Sequence, residues 1–149
     1  MAMVGKDAKV TLGTTSVVGM GVWSLDGITV EEFDSSKFGD EWKTKAYGMK
    51  DGGSVSFNGH YEKTDTTGQD VLQQANLYNS ALTNMRFYVD NTSYYEACQT
   101  TGYFSPTLTT GAPTVSSSIT ITAFNVGMDK SGLGTTSFTG SISGSMVLI

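Results

Sequence analysis

The chain has 149 residues, a net charge of −5 and a pI near 4.6, which suits one domain able to bury its own core. That balance excludes a surface built to grip nucleic acid, since such binding needs clustered Lys and Arg. Eighteen Gly, two Pro and a Ser/Thr-rich second half exclude a helical bundle or a disordered tail and describe a β-rich protein, expected as a single domain over 1–149.

Residues 1–8 are polar and read as a flexible arm ahead of a first strand at Lys9–Leu12. The arm lacks the apolar stretch of a signal peptide, and no apolar run nears the ~20 residues of a membrane span. Cys98 is the single cysteine, so no disulfide forms within the chain and a soluble, cytoplasmic protein is expected. In Ser16–Ser24, Val18, Met20 and Val22 share one face, with Val17, Gly19, Gly21 and Trp23 on the other. Small residues opposite bulky ones imply a bulge or a close backbone approach. Leu25-Asp26-Gly27 is a turn signal, after which Ile28–Phe33 continues as a strand.

Asp34–Asp51 then reads as one long loop, well beyond the ~2–5 residues usual in a hairpin. Phe38, Trp42, Tyr47 and Met49 stand among Asp40, Glu41, Lys43 and Lys45, the mixture of aromatic anchors and polar rim that interfaces favour. Gly52-Gly53 closes the loop with residues able to take positive φ. Ser54–Tyr61 alternates, with Val55, Phe57, Gly59 and Tyr61 toward a core and Ser54, Ser56, Asn58 and His60 opposite. Gly68–Leu82 is the one convincing helix, with Thr67 as its cap, Asp70 in the first turn and a stripe of Val71, Ala75, Tyr78 and Leu82.

Met85–Asp90 reads as a strand, and 91–113 as irregular with short strands at Tyr94-Tyr95 and Gly102–Phe104. Ser117–Met128 sets Ile119, Ile121 and Ala123 against Thr120, Thr122 and Phe124. Thr136–Ile149 sets Phe138, Ile142, Met146 and Leu148 against Thr139, Ser141, Ser143 and Ser145. The two are expected as antiparallel neighbours across Asp129–Gly134. From Ala97 to the end, Asp129 and Lys130 are the only charged side chains. Strands left without charged guards imply edges and faces covered by partner copies, the alternative being a surface kept soluble by its Ser and Thr.

The residues offer little chemistry. One His and one Cys cannot make a zinc site. His60 falls on the polar face of its strand, and Gly140-Ser141-Ile142-Ser143-Gly144 places isoleucine where a nucleophile elbow needs serine. Glu31, Glu32, Asp34, Asp40 and Glu41 interleave with Lys37, Lys43 and Lys45, which describes a solvated loop better than an acid–base pair. No calcium loop and no phosphate-cradling glycine motif is present. The expectation is an assembly or binding protein without cofactor or metal, and not an enzyme.

One stretch is more specific. A glycine and a strand lead to Glu31-Glu32 and Asp34, then Trp42-Lys43, then Gly48-Met49-Lys50-Asp51-Gly52-Gly53-Ser54-Val55-Ser56-Phe57, then Asp70 opening a helix. This order resembles the major tail tube proteins of long, non-contractile-tailed bacteriophages, most closely over Gly27–Phe57. The resemblance implies a mainly β fold, a β-sandwich or half-barrel with one flanking α-helix. It implies six copies in a ring, their inner sheets joined edge to edge into a continuous β-barrel, and rings stacked helically into a tube. It implies a virion tail component, assembled in the host bacterial cytoplasm, that conducts DNA without binding it and touches no membrane. Its partners would be itself and the tape-measure, tail-tip and tail-terminator proteins.

On that basis Phe38, Asp40, Glu41, Trp42, Lys43, Lys45 and Tyr47 would meet the neighbouring ring, with Phe38 and Trp42 as anchors. Glu31, Ser54, Ser56 and Asn58 would line the lumen, and the arm 1–8 would order on assembly. Two alternatives stand beside this reading. One is an inner tube of a contractile tail or a type VI secretion tube; the other is a capsid-decorating or adhesin-type β-sandwich. A local role for Trp42, as a lid on its own sandwich, is the competing account of that residue.

Overall fold

The computed structural model describes residues 5–97, 117–144 and 146–148. The expected strands at Gly102–Phe104, together with Cys98 and the first four residues of the arm, lie outside them; Gly5–Asp7 form a short 3-10 turn.

The described chain is mainly β, with antiparallel pairing throughout. One five-stranded sheet has the order β12 (Met146–Leu148), β9 (Tyr94–Ala97), β8 (Met85–Tyr88), β1 (Lys9–Leu12), β2 (Thr15–Ser16). The second has the order β3 (Met20–Asp26), β6 (Ser54–His60), β11 (Thr135–Ser143), β10 (Ser118–Gly127), β7 (Ala81–Leu82). A third, two-stranded sheet consists of β4 (Thr29–Asp34) and β5 (Lys45–Asp51) alone. The helix α1 (Gln69–Leu77) packs against β10.

Period-two alternation builds the core between the two large sheets. Val55 and Phe57 on β6, Phe138 and Ile142 on β11, and Ile119 and Ile121 on β10 point inward and are buried. They meet Val10 and Leu12 of β1 and Met85 and Phe87 of β8. The Phe57 ring stacks on Phe138 at 5.3 Å and reaches Phe87 in the opposite sheet at 5.6 Å. Trp23 extends this aromatic row, 5.6 Å from Phe87, while its indole N–H donates to the Tyr88 carbonyl at 3.0 Å. Its polar tip is therefore satisfied where the ring is packed.

The strand order departs from the expected one at the decisive place. Ile28–Phe33 does not continue the sheet. β3 pairs with β6 up to Asp26 opposite Ser54, and the chain between them leaves as the β4–β5 ribbon. The expected loop 34–51 is half strand, because Lys45–Asp51 pairs back onto β4 and only 35–44 remain as a loop. The bulge expected near the paired glycines is present, since the β3–β6 register slips between Met20 and Val22. A second bulge, between Ile121 and Ala123 in β10, reverses the expected faces. Phe124 turns in toward Phe138 and Ala123 turns out. The last strand is two: at Gly144, with φ +95°, the chain passes from β11 in one sheet to β12 in the other.

The helix also differs in its cap and its stripe. Thr67 caps nothing. The Asp65 carboxylate takes the Gln69 N–H at 3.1 Å and the Val18 N–H at 2.9 Å, an acidic group at the positive end of the helix. Gln69, Leu72 and Ala75 are buried, whereas Tyr78 is exposed and Leu82 lies beyond the helix in β7. Asn76 faces the sheet and donates to the Ile121 carbonyl at 2.8 Å, beside the bulge. Val71 and Ala75 of the expected stripe do pack on the core, as does Leu82 from β7; the inward face also takes in Leu72 and the polar Gln69, which a hydrophobicity pattern leaves out.

Gln69 is 1% exposed and has all its main polar partners inside the protein. Its amide donates to the Val18 and His60 carbonyls at 2.7 and 2.9 Å, and its oxygen accepts from Glu62 N–H at 3.0 Å. It ties the helix to the far end of β6 and to the chain entering β3. Gln69→Ala removes the partner of three part-buried backbone hydrogen bonds and empties a buried position, so stability falls by about 1–3 kcal/mol, read from urea denaturation.

Candidate assembly interface

The ribbon leaves the sandwich through a glycine neck. Gly27 and Gly53 both have positive φ, +77° and +82°, a region that L side chains rarely adopt. A Cβ on Gly53 would strike the Asp26 carbonyl oxygen, and one on Gly52 would strike the Gly144 carbonyl oxygen. The Ile142 N–H donates to the Gly53 carbonyl at 3.1 Å, and the Asp51 carboxylate takes the Gly53 N–H at 2.8 Å. The neck is thus pinned to β11 while the chain beyond it departs from the sheet.

Every residue of β4 and β5 is exposed. Val30 faces Lys50 and Glu32 faces Tyr47, with an irregularity between them that leaves Gly48 beneath Glu31 and Phe33. The loop that joins the strands is held by its own polar groups. Ser35 N–H donates to the Thr44 carbonyl at 2.9 Å, Thr44 N–H to the Ser36 hydroxyl at 2.9 Å, and Lys37 N–H to the Asp40 carboxylate at 2.6 Å. Asp34 takes the Ser36 N–H at 2.9 Å, and this bond holds its carboxyl below the ordinary aspartate range.

The expected contact residues divide by role. Phe38 is fully exposed, Trp42 is 79% exposed and Tyr47 is 64% exposed, with no core beneath them. Trp42 is therefore no lid on its own sandwich. Asp40 is committed to the Lys37 turn, and Lys45 pairs with Glu32 across the ribbon at 3.7 Å. Glu41 and Lys43 have no ion-pair partner among the described residues. Ile28, Val30, Phe33 and Met49 are exposed as well, Ile28 just ahead of the ribbon and the other three on its strands. A cue was available: Phe33 follows Glu31-Glu32 and precedes Asp34, a poor setting for a buried strand end.

Glu31 belongs to the ribbon and stands apart from Ser54, Ser56 and Asn58, which lie together on β6. Those three point away from the core, into a sheet face made largely of hydroxyl and amide groups. Their neighbours in register are Val22, Ser24 and Asp26 on β3, and Ser137, Thr139 and Ser141 on β11, so Val22 is an exposed apolar side chain on this face. Ser24 and Ser56 hydroxyls meet at 2.8 Å, Thr122 donates to the Thr139 carbonyl at 3.2 Å, and Asn125 to Ser137 at 3.3 Å. No Lys or Arg is paired into this face: the described strands of the sheet contain none.

The two ends of this sheet differ. Asp26, Ser54 and Ser141 are in register at the end that carries the ribbon. His60, Thr135 and Gly127 are in register at the other end, from which the turn 128–134 extends. Met128 and Leu133 on that turn are 69% and 70% exposed. Among the described residues, no group of His, Cys, Asp and Glu could hold a metal ion, and no helix is long and apolar enough to cross a membrane.

No protein-family model matches the chain, and no curated protein matches it in sequence. Solved structures do share its fold. A chain of the tail of an empty gene transfer agent particle, obtained by helical refinement with C6 symmetry, superposes with a TM-score of 0.71 at 13% identity, covering 99% of both chains. A chain of the virion of the native gene transfer agent particle superposes with a TM-score of 0.70 at 13% identity, again over 99% of both. A chain of the PVC sheath-tube complex, an extracellular contractile injection system in its extended state, gives 0.57 at 11% identity, over 99% of this chain and 91% of that one. The expected class of fold is therefore present: a subunit fold found in phage-like tails and contractile injection systems.

Two outcomes follow from this geometry. Trp42→Ala removes no buried contact, so the thermal stability of the unassembled protein changes by no more than about 0.5 kcal/mol. The Asp34 bond contributes at neutral pH, above the ordinary aspartate value, and is lost as pH falls through the lowered one. In an NMR titration the Ser36 amide therefore moves only at a pH below that where a free aspartate titrates.

Proposed function

We propose that this protein is a structural subunit that polymerises into a tail tube, the conduit through which a phage-like particle delivers DNA. The observation that carries the reading is the ribbon: an ordered pair of strands with Phe33, Phe38, Trp42, Tyr47 and Met49 all exposed. Exposed apolar surface on this scale marks an interaction site. Burying Phe38 and Trp42 in a neighbour releases about 1.5–3 kcal/mol per side chain. The ribbon accordingly acts as the ring-stacking arm, with Glu41 and Lys43 at its rim.

The ring reading rests on the sheet edges. β3 forms one edge, and β10 is paired on its outer side only at Ile119 and Thr120, by the two residues of β7. Asp26 is the only charged side chain on either strand, so neither edge is guarded against pairing. Joined edge to edge in a sixfold ring, as the symmetry of the gene transfer agent tail suggests by analogy, these sheets make a continuous barrel wall.

Its hydroxyl face, with Ser54, Ser56 and Asn58, then lines the lumen. DNA crosses such a wall without sticking because no Lys or Arg is there to displace its counterions. The wall works by offering no cation, and Asp26 adds a carboxylate to it. Glu31 sits at the ring-to-ring joint in this arrangement. Tape-measure, tail-tip and terminator proteins are the partners such a tube needs, and the virion tail is its place.

A role as the inner tube of a contractile system is the second reading, supported by the likeness to the PVC sheath-tube chain. It requires a sheath on the outer wall, whereas a non-contractile tube stands bare.

Negative-stain electron microscopy tests the proposal. The purified protein forms tubes or stacked rings, and Trp42→Ala yields folded subunits that do not. Uniform small particles of the unmodified protein at every concentration and salt would overturn it. Lumen placement is tested by Ser56→Cys in a Cys98→Ser background. Within tubes the new thiol reacts with a small maleimide and is shielded from a bulky polymer-linked one; equal reaction with both contradicts it.

A further inference from the structure

A ring-stacking arm needs a receiving surface on its neighbour. We infer that it is the turn at the opposite end of the same sheet, with Val126, Met128 and Leu133 as the surface that accepts the ribbon of a second copy of this chain. The inference rests on the tube reading and adds the identity of the acceptor.

Four observations carry it. First, position: the ribbon leaves at the Asp26–Ser54–Ser141 end, and the turn extends from the His60–Thr135–Gly127 end. Patches at opposite ends of one sheet make a heterologous contact, which propagates as an open stack; ribbon against ribbon would close into a dimer and stop.

Second, chemistry: Val126, Met128 and Leu133 are apolar yet 44%, 69% and 70% exposed. The Met128 thioether lies over Gly134 and beside Tyr61, so a flexible, polarisable side chain forms the middle of the patch. It can adapt to an aromatic ring.

Third, preorganisation: the Asp129 carboxylate takes the Ser131 N–H at 3.1 Å and its hydroxyl at 3.2 Å, and Gly132 N–H bonds the Asp129 carbonyl at 3.2 Å. The turn is held from within, as the ribbon tip is by Asp34 and Asp40. Both surfaces are shaped before they meet, which lowers the ordering cost of association.

Fourth, charge: the subunit carries −5, so copies repel. The tip from Asp34 to Lys45 has three acidic and three basic residues, and the turn has Asp129 with Lys130. The two surfaces are therefore locally neutral, and the excess negative charge lies elsewhere on the chain.

The experiment uses two full-length variants, purified separately. Trp42→Asp disables the ribbon and leaves the turn; Leu133→Asp disables the turn and leaves the ribbon. Both positions are exposed, and circular dichroism confirms that each variant is folded. Neither polymerises alone. Mixed, they give a complex of twice the mass of either, by analytical ultracentrifugation, and no longer species, because one working ribbon meets one working turn.

Polymerisation of Leu133→Asp alone, or no complex in a buffer where the unmodified protein forms tubes, overturns the inference. If Leu133→Asp fails to fold, Phe38→Cys with Leu133→Cys in a Cys98→Ser background decides the matter. Oxidation of its tubes gives covalent ladders longer than dimers; tubes without ladders overturn the inference and leave the tube reading standing. Failure of the unmodified protein to form tubes under any condition sinks the tube reading itself and the acceptor with it.

Discussion

Two glycines govern the arrangement of this molecule. β3 and β6 are partners through Asp26 and Ser54, and an ordinary turn there would close them as a hairpin. Gly27 and Gly53 instead take positive φ where the outgoing and returning segments approach, and that approach leaves no room for a Cβ at Gly53. The intervening residues are thereby expelled from the sheet as an independent ribbon. The Ile142–Gly53 bond and the contact of Gly52 with Gly144 fix the exit against β11, at the point where the chain changes sheets. Ribbon, core and sheet crossing share one joint.

This division separates two kinds of stability. The sandwich is complete without the ribbon: its aromatic row, its Asp65–Gln69 tie and its bulged β10 make no use of β4 or β5. The ribbon has only its own ladder and the side-chain bonds of its tip, and a lone two-stranded ribbon is marginally stable in water. Hydrophobic side chains that contribute nothing to the subunit's own folding are what a polymer interface requires. They also confine assembly to a surface that the folding of each copy does not depend on.

Much of the fold was legible in the sequence. The alternation of Val55 and Phe57 with Ser54, Ser56 and Asn58 placed β6 and its two faces correctly, and the glycines before it marked the neck. What was not legible depended on partners far along the chain. Periodicity cannot tell a strand that pairs with the sheet from one that pairs only with its own return, so Ile28–Phe33 reads as a strand without revealing its partner, and Lys45–Asp51 reads as part of the loop. A one-residue bulge at Thr122 inverts every face after it, which sent Phe124 inward against expectation. The helix and much of its stripe are legible, with Val71 and Ala75 on the core, but Gln69 is not, because a buried glutamine that satisfies three backbone groups looks solvent-facing in any hydrophobicity pattern. Phe38 and Trp42 stand out in the sequence as aromatics in a charged loop, and both are exposed; Met128 and Leu133 carry no such cue, since only the registers set their turn opposite the ribbon.

The central claim is that the β4–β5 ribbon is a surface for another copy and gains its protection from one. Hydrogen–deuterium exchange of unassembled and assembled protein, followed by mass spectrometry, reads this directly. The account predicts fast exchange across Thr29–Asp51 in the unassembled protein and strong protection of the same segment after polymerisation, with the core strands β6, β8 and β11 protected in both. A ribbon equally protected before assembly, or still fast-exchanging within finished tubes, would contradict it.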